Sequence, residues 1–492
     1  MNNEISDEKL ILIVNNLRKL DSELEHVEFK HSLPDENQIA KTISGITNSM
    51  SLTDCPRGYF IWGIHDSTHD VIGTEFRPYR TKVGNEELPF WLSKHITPTP
   101  NVVFREIPIE GKRVIVLIIE PSPTELSKFN HEPFIRMGAN TTSLRNFPNL
   151  ERELWSRIAN KSFETIAAKS CLTQEEVFEI LDFDAFYRMR QGRVPVEEDI
   201  LFEEAVSSHV LCDNQDGTYD ITNLGAVLYA RDLHDFPHLS SKSVRIIKYT
   251  GQSKLGDIQE ERSVGGYIVE FQRLFQHVLD KVISREAIGE DGVRRPEYLY
   301  PQLAIRELFA NMLAHQNLPD TTLHPMVEIY SDRIEFTNPG KPLVPVLRMI
   351  DYPPQTRNRY IVDELIKTGI CESLGTGWDK IADQTSNYGF PAPKPDITEN
   401  TTRIIMHQKR TLADMTNEDR IWTVYIFACL LRTQGKYLTN ALVRQLFNIP
   451  DENASTASAI LAQAVDEGLI CIFDEKAGNR NRKYIPNYNT TE

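Results

Sequence analysis

The six cysteines of this 492-residue chain, Cys55, Cys171, Cys212, Cys371, Cys429 and Cys471, stand far apart. No Cys-x-x-Cys pair and no zinc-type Cys/His spacing occurs. That excludes a zinc ribbon and a disulfide scaffold, and it implies free thiols in a reducing cytosol. No apolar run approaches the roughly 18 residues that a bilayer-spanning helix needs, so no membrane partner is expected. The polar, acidic stretch from Met1 to Lys9 has no signal-peptide pattern. Positive charge is short as well: 54 Lys and Arg against 70 Asp and Glu leave a net charge of -16. Such a field repels phosphate and excludes a chain that coats nucleic acid indiscriminately, while leaving room for a local basic groove or wing. Internal repeats and low-complexity linkers are absent too.

What is present is ordinary for a folded protein: 40% hydrophobic and 25% charged residues. The length exceeds what one core accommodates and implies three or four domains. Apolar spacing predicts helices over Glu8 to Leu20 and Ile39 to Met50. Val27 and Phe29, alternating with Glu28 and Lys30, predict a half-buried strand; Gly58 to Ile64 predicts a strand buried on both faces. Tyr59 and Trp62 on that strand are better read as core than as base-stacking groups. A hairpin is expected around Glu110-Gly111, and Phe134 to Gly138 closes this α+β unit. Mixed, mainly helical sequence follows, with Leu172-Thr173-Gln174-Glu175 resembling a capping box. Further on come a strand over Val244 to Tyr249, a helix over Tyr267 to Ser284, paired strands at 327–330 and 333–336, and a closing strand from Thr402 to Met406. The last stretch predicts three helices, the second capped by Thr439, and a hairpin whose tip carries Lys476, Arg480, Arg482 and Lys483. That is the outline of a winged helix. The pattern divides the chain into 1-160, 161-295, 296-409 and 410-492, an α+β multidomain protein.

One helix stands apart. Glu307, Asn311 and His315 recur every fourth residue and share one stripe, with Ile305, Leu308, Phe309, Met312 and Leu313 around the other faces. A carboxylate, an amide and an imidazole on a helix fit for burial need partners. A metal-bound phosphate ligand and a catalytic water would serve, and so would plain solvent. Asn338-Pro339-Gly340 after a strand and Gly375-Thr376-Gly377 at a helix start weigh for the ligand. Glycines there let backbone N–H groups approach phosphate, and the helix N-terminus favours the anion. Asn311 offers an amide oxygen to a hard cation, and Glu307 one turn earlier is placed to orient or deprotonate a water.

This constellation resembles the GHKL class of ATPases, the Bergerat fold of gyrases and histidine kinases. More closely, Tyr300 to Gln408 resembles the ATPase domain of bacterial proteins that pair it with a Schlafen-type Alba-like domain. The resemblance implies a Bergerat-like α/β sandwich holding ATP with Mg²⁺. Two departures stand out. Asn338-Pro339 replace the usual Asp and Gly of the class, and Gln316-Asn317 follow the histidine where that family commonly has Arg-Asp.

Glu23, Glu28 and Asp66 lie at strand ends, and by spacing alone they are three acids among many. Glu23-x-x-x-x-Glu28-Phe29-Lys30, Gly63-Ile64-His65-Asp66 and Val71-Ile72-Gly73 together resemble the Schlafen Alba-like domain over roughly residues 8 to 150. The resemblance implies that Glu23, Glu28 and Asp66 hold Mg²⁺ or Mn²⁺ and cut RNA, notably transfer RNA, or DNA. Lys30, on the strand face of Glu28, would contact a phosphate. A longer segment, Ser49 to Gly58, replaces the family's usual Asn-Thr-Asp-Gly-Gly. The expectation is thus an ATP-regulated, metal-dependent nuclease that forms a homo-oligomer, with antiphage defence as its setting. The alternatives are an ATP-responsive winged-helix transcriptional regulator with a non-catalytic N-terminal domain, and a nucleotide-dependent scaffold.

Overall fold

The computed structural model describes residues 5–20, 22–31, 35–53, 55–122, 125–191, 197–288, 294–372, 375–476, 478 and 482–488. Leu374 and Arg480 lie outside them. The chain is a mixed α+β multidomain protein with several small sheets. Its contacts divide it into two compact units, 1–181 with 196–226, and 182–195 with 227–492. Residues 161–295, expected as a connecting domain, are shared between the two.

The first unit is built on β1 (Val27–Lys30), β2 (Gly58–Trp62), β3 (Val103–Ile109) and β4 (Lys112–Ile119), in the order β1-β2-β4-β3. β1 runs parallel to β2, and the other pairs are antiparallel. The period-2 alternation of β2 dictates the layers. Phe60 and Trp62 face helix α2 (Glu36–Thr53) through Ile39, Ile43 and Met50. Tyr59 and Ile61 face helix α1 (Asp7–Leu17) through Leu10, Ile13 and Val14. Tyr59 and Trp62 are both core. Gly58 is required at the strand start, because a Cβ there would lie 2.2 Å from Ile46 and 2.9 Å from the His26 carbonyl. A second sheet contains β5 (Glu132–Met137) and β6 (Asn140–Ser143). A three-stranded sheet, 167–172, 219–222 and 211–213, completes the unit. Beside it Thr173 and Glu176, rather than Glu175, form the capping box. One expectation needs correcting here. β1 does alternate, but its polar side is not solvated: Glu28 is 4% exposed.

The second unit carries a six-stranded sheet. Its strands are β7 (Arg245–Tyr249), β8 (Ile258–Arg262), β9 (Met326–Ile329), β10 (Arg333–Pro339), β11 (Lys394–Ile397) and β12 (Thr401–His407), ordered β8-β7-β9-β10-β12-β11. Helices α3 (Tyr267–Lys281) and α4 (Gln302–Ala314) meet through Phe271 and Phe309, whose rings are 5.5 Å apart. α4 holds no glycine or proline and is rich in Leu, Ala, Met and Glu, so local propensity and burial agree. Helices α5 (Arg359–Lys367) and α6 (Gly377–Tyr388) follow β10. The chain then forms α7 (Asn417–Thr433), α8 (Asn440–Leu446), α9 (Ala454–Asp466) and a hairpin of β13 (Ile470–Ile472) with β14 (Tyr484–Pro486). Thr439 caps α8 as expected. This C-terminal part, expected to stand alone, shares a core with its neighbours: Val424, Tyr425 and Leu461 pack with Ile350, Ala382 and Ala392.

None of the six cysteines is in a disulfide. Among the described residues no helix is long and apolar enough to cross a membrane.

Candidate functional sites

A cavity of about 390 Å³ opens beside α4 in the second unit, within the size range of small-molecule sites. Glu307, Asn311 and His315 line it from the helix, Asn338 from β10, and Gly375 and Gly377 from the start of α6. Phe336, Met349 and Ile404 supply apolar lining. The three separate sequence pieces therefore converge. Thr376 occupies the N-cap position of α6, before Gly377, without a side-chain capping bond. Gly340 closes the turn after β10, donating its N–H to the Asn400 carbonyl at 2.7 Å and accepting from Thr402 Oγ1 at 2.6 Å. Its φ of +100° and the 3.0 Å approach of Asn317 Cβ make glycine necessary there.

Gly377 is where the two walls touch. A Cβ built on it would sit 3.2 Å from Glu307 Oε2 and 3.6 Å from Asn311 Nδ2. The start of α6, the positive end of a helix dipole, thus stands against the polar stripe of α4. Glu307 is 5% exposed, and its Oε1 has no hydrogen-bond partner. Burial raises its pKa, while the charges of Lys380 and Arg306 partly oppose that rise. His315, the C-cap of α4, is held below its usual pKa by desolvation and the Arg357 charge, which favours neutral imidazole. Cys371 also lines the cavity, and burial together with the Glu307 charge pushes its thiol up to about 12. A buried carboxylate oxygen with no hydrogen bond and with Arg306 Nη1 3.6 Å away, an amide one turn on and a glycine cradle fit a Mg²⁺-bound triphosphate.

Residues 340–358 strap this cavity, with Lys341, Leu343, Tyr352, Pro354 and Arg357 in its lining. Both feet of the strap are pinned to the end of α4. Asn338 Nδ2 donates to the His315 carbonyl at 3.4 Å. Asn358 Nδ2 donates to the carbonyls of Ala314 at 3.0 Å and Gln316 at 2.7 Å. These amides satisfy helix-end carbonyls that would otherwise be orphans. The middle of the strap sits in the C-terminal core: Leu347 and Ile350 pack there, and the Tyr425 hydroxyl donates to the Leu347 carbonyl.

In the first unit the structure brings Glu23 and Glu28 together, around a residue that sequence reasoning missed. Arg136, the penultimate residue of β5, is 1% exposed. Its guanidinium binds Glu28 Oε2 through Nη1, and through Nη2 it reaches Glu23 Oε2 at 3.2 Å and the Val27 carbonyl at 2.9 Å. Glu23 Oε1 accepts the Phe29 N–H at 3.0 Å, and Glu28 Oε1 holds Lys30 Nζ at 2.7 Å. Every oxygen of the pair has a partner. Burial and the Glu28 charge raise the Glu23 pKa against the opposing pull of the Phe29 N–H and Arg136.

Asp66 belongs to a different group. The Gly63-Ile64 turn is built as the motif suggests: Ile64 bridges Val71, and Gly63 accepts the Ile72 and Gly73 N–H groups at 2.9 Å. Asp66 Oδ1 then lies 3.4 Å from His31 Nδ1 and 3.4 Å from His65 Nδ1, whose rings stack 5.4 Å apart. Among the described residues no group of three or more His, Cys, Asp or Glu side chains is arranged to hold a metal ion. The donor set at Glu23 and Glu28 does not fit a divalent cation, because a guanidinium and an ammonium already occupy it.

Two family models match parts of the chain. A model described as Schlafen, AlbA_2 matches residues 23–145, the span holding Glu23, Glu28, Lys30, Asp66 and Arg136. A model described as the C-terminal region of the putative ATP-dependent DNA helicase recG matches residues 323–406. That span holds Asn338, Gly340 and Gly375 to Gly377 but begins after α4. The chain thus carries a Schlafen, AlbA_2 domain and an ATPase-like domain. Among solved structures, the DIP2311 protein of Corynebacterium diphtheriae aligns over 97% of this chain and 97% of its own at 17% identity, with a TM-score of 0.41. No curated protein matches.

Proposed function

We propose that this protein is an ATP-responsive regulator that acts on nucleic acid. The observation that carries the proposal is the packing of Gly377 against Glu307 and Asn311 inside a cavity of ligand size. Asn311 would hold Mg²⁺ or Mn²⁺, and Gly375, Thr376 and Gly377 would hold the phosphates. Asn338 and His315 border the rest of the nucleotide, and Gly340 shapes the turn that positions Asn338. The metal would supply charge neutralisation at the phosphates. Glu307, buried and with Oε1 making no hydrogen bond, orients water there. The Schlafen, AlbA_2 domain is the nucleic-acid module.

Metal-dependent cleavage at Glu23, Glu28 and Asp66, with Lys30 on the phosphate, has less support. It asks for a cation where Arg136 and Lys30 already sit. The C-terminal helices and hairpin have the outline of a winged helix. However, the exposed side of α9 offers Ser455, Thr456, Ser458 and Ala459 between Asp451-Glu452 and Asp466-Glu467, with no Lys or Arg. That favours protein contact, including self-association into a homo-oligomer, over DNA phosphate. The test is ATP titration of the purified protein, followed by RNA and DNA mobility shifts with and without ATP. ATP binding that is lost in Asn311→Ala and that alters nucleic-acid affinity is expected. Nucleotide-independent nucleic-acid binding would refute the regulatory link.

A further inference from the structure

The carboxylates that the family resemblance assigns to a metal are closed by a side chain of the protein itself. Glu23 and Glu28 carry two negative charges, and Arg136 with Lys30 carries two positive ones, so the cluster is neutral without a bound ion. Its geometry is built. Arg136 N donates to Ser49 Oγ at 3.0 Å, which fixes β5 against α2. Gly45 on α2 makes room for the arginine stem, since a Cβ there would lie 3.2 Å from Arg136 Cγ. An arginine cannot lose its proton to make way for a cation, and at 1% exposure it has no open path outward. Nearby His26 is buried, and desolvation with the Arg136 charge lowers its pKa to about 4. It stays neutral, and the site keeps a single guanidinium as its central cation.

We propose that Arg136 is the resident cation of the Glu23/Glu28 pair, so that this domain takes no divalent metal there and holds nucleic acid without cutting it. The pair is then a clamp between β1 and β5. Breaking either half leaves a buried charge unpaired, the situation in which buried ion pairs matter most. The consequence for nucleic acid rests on the reading of this domain as a nucleic-acid module, whereas the metal count does not.

The test is a Mn²⁺ titration of the full chain, stripped of metal and free of nucleotide, read by the free Mn²⁺ resonance signal. Wild type and Glu23→Gln are expected to bind the same number of Mn²⁺ ions, because Gln keeps the Phe29 N–H bond through its amide oxygen. Arg136→Lys keeps the charge and should match them. Arg136→Gln should gain one Mn²⁺ per chain that Arg136→Gln/Glu23→Gln lacks. One Mn²⁺ more in wild type than in Glu23→Gln overturns the proposal, even if the Arg136→Gln variant fails to fold. So does Mn²⁺-dependent cleavage of RNA or DNA that is lost in Glu23→Gln. Filter binding of the same wild-type sample to RNA and DNA separates the two claims. With no retention, the nucleic-acid reading and the clause that depends on it fail, while the equal Mn²⁺ counts still support Arg136 as the resident cation.

Discussion

Substitution of Gly377 by alanine separates folding from ligand binding at the cavity. The position begins α6 and its φ is not left-handed. Alanine is therefore acceptable to the backbone, and in a helix interior it is favoured over glycine by about 1 kcal/mol. The new methyl would meet Glu307 Oε2 at 3.2 Å, a contact relieved by a shift of a few tenths of an ångström. With the cavity empty Glu307 can make that shift. With a phosphate held over the same stripe it cannot. Overpacking of this kind costs about 1–3 kcal/mol, and here the cost falls on the bound state alone. The ATP dissociation constant should rise by about 10- to 100-fold, each tenfold step being about 1.4 kcal/mol. The melting temperature of the free protein should stay level or rise. Calorimetric titration with Mg²⁺–ATP measures the first quantity and a thermal melt the second. An affinity within twofold of wild type, at an unchanged melting temperature, would refute the placement of phosphate beneath Gly377.

Glu307→Gln should retain ATP and slow its hydrolysis by about 100-fold or more, the usual loss for a general base; a turnover assay at saturating ATP reads it. Because burial raises the Glu307 pKa in the folded state, wild type loses stability as pH rises through that value, and the advantage of the Gln variant should grow with pH in paired melts. Asp216, 1% exposed, accepts from Thr218 N–H and Oγ1 and from the Tyr59 hydroxyl, and burial raises its pKa from 3.8 to about 6. Its contribution is fully present below pH 3.8 and is lost as pH rises through about 6. Asp216→Asn should therefore be more stable than wild type at pH 7, by on the order of 3 kcal/mol, and equal to it near pH 3.5; urea melts across that range measure the difference. Arg190→Ala removes one of two cations on Glu364, which is 1% exposed and also accepts from Lys367 Nζ at 2.9 Å and from Tyr229 at 2.8 Å. A loss of about 1.5–3 kcal/mol in urea unfolding is expected, the usual worth of hydrogen bonds to a charged group, and a loss below 1 kcal/mol would show that Lys367 and Tyr229 satisfy the carboxylate without Arg190.

Local pattern made much of this legible. α4 was readable because every residue from Arg306 to Ala314 suits a helix and its polar residues share one stripe. The hairpin at Glu110-Gly111 was readable because two alternating runs flank residues that accept positive φ, here 52° and 72°. Arg136 was not readable. It sits 108 residues from Glu28, behind the apolar run Pro133 to Ile135, and nothing nearby says which carboxylates it will meet. The same limit hid the burial of Glu28: alternation identifies the polar side of β1 but not what covers it. Ile350, Ala382 and Ala392 look like members of any core, so their union with the C-terminal helices escaped detection. Asn358 gave no signal either, because a capping amide 42 residues from its carbonyl has no local signature.

The strap over the α4 cavity touches two things at once. Its feet are tied to α4 by Asn338 and Asn358, and its middle is seated among α7 side chains through Leu347 and Ile350. A segment held in this way cannot unravel from one end, so it must move as a piece or not at all. Any ligand that prefers one strap position therefore exerts leverage on the helices beyond it. Linkage makes that leverage mutual. If ATP shifts the grip of those helices on a partner about tenfold, the partner must shift ATP affinity by the same factor, about 1.4 kcal/mol in each direction.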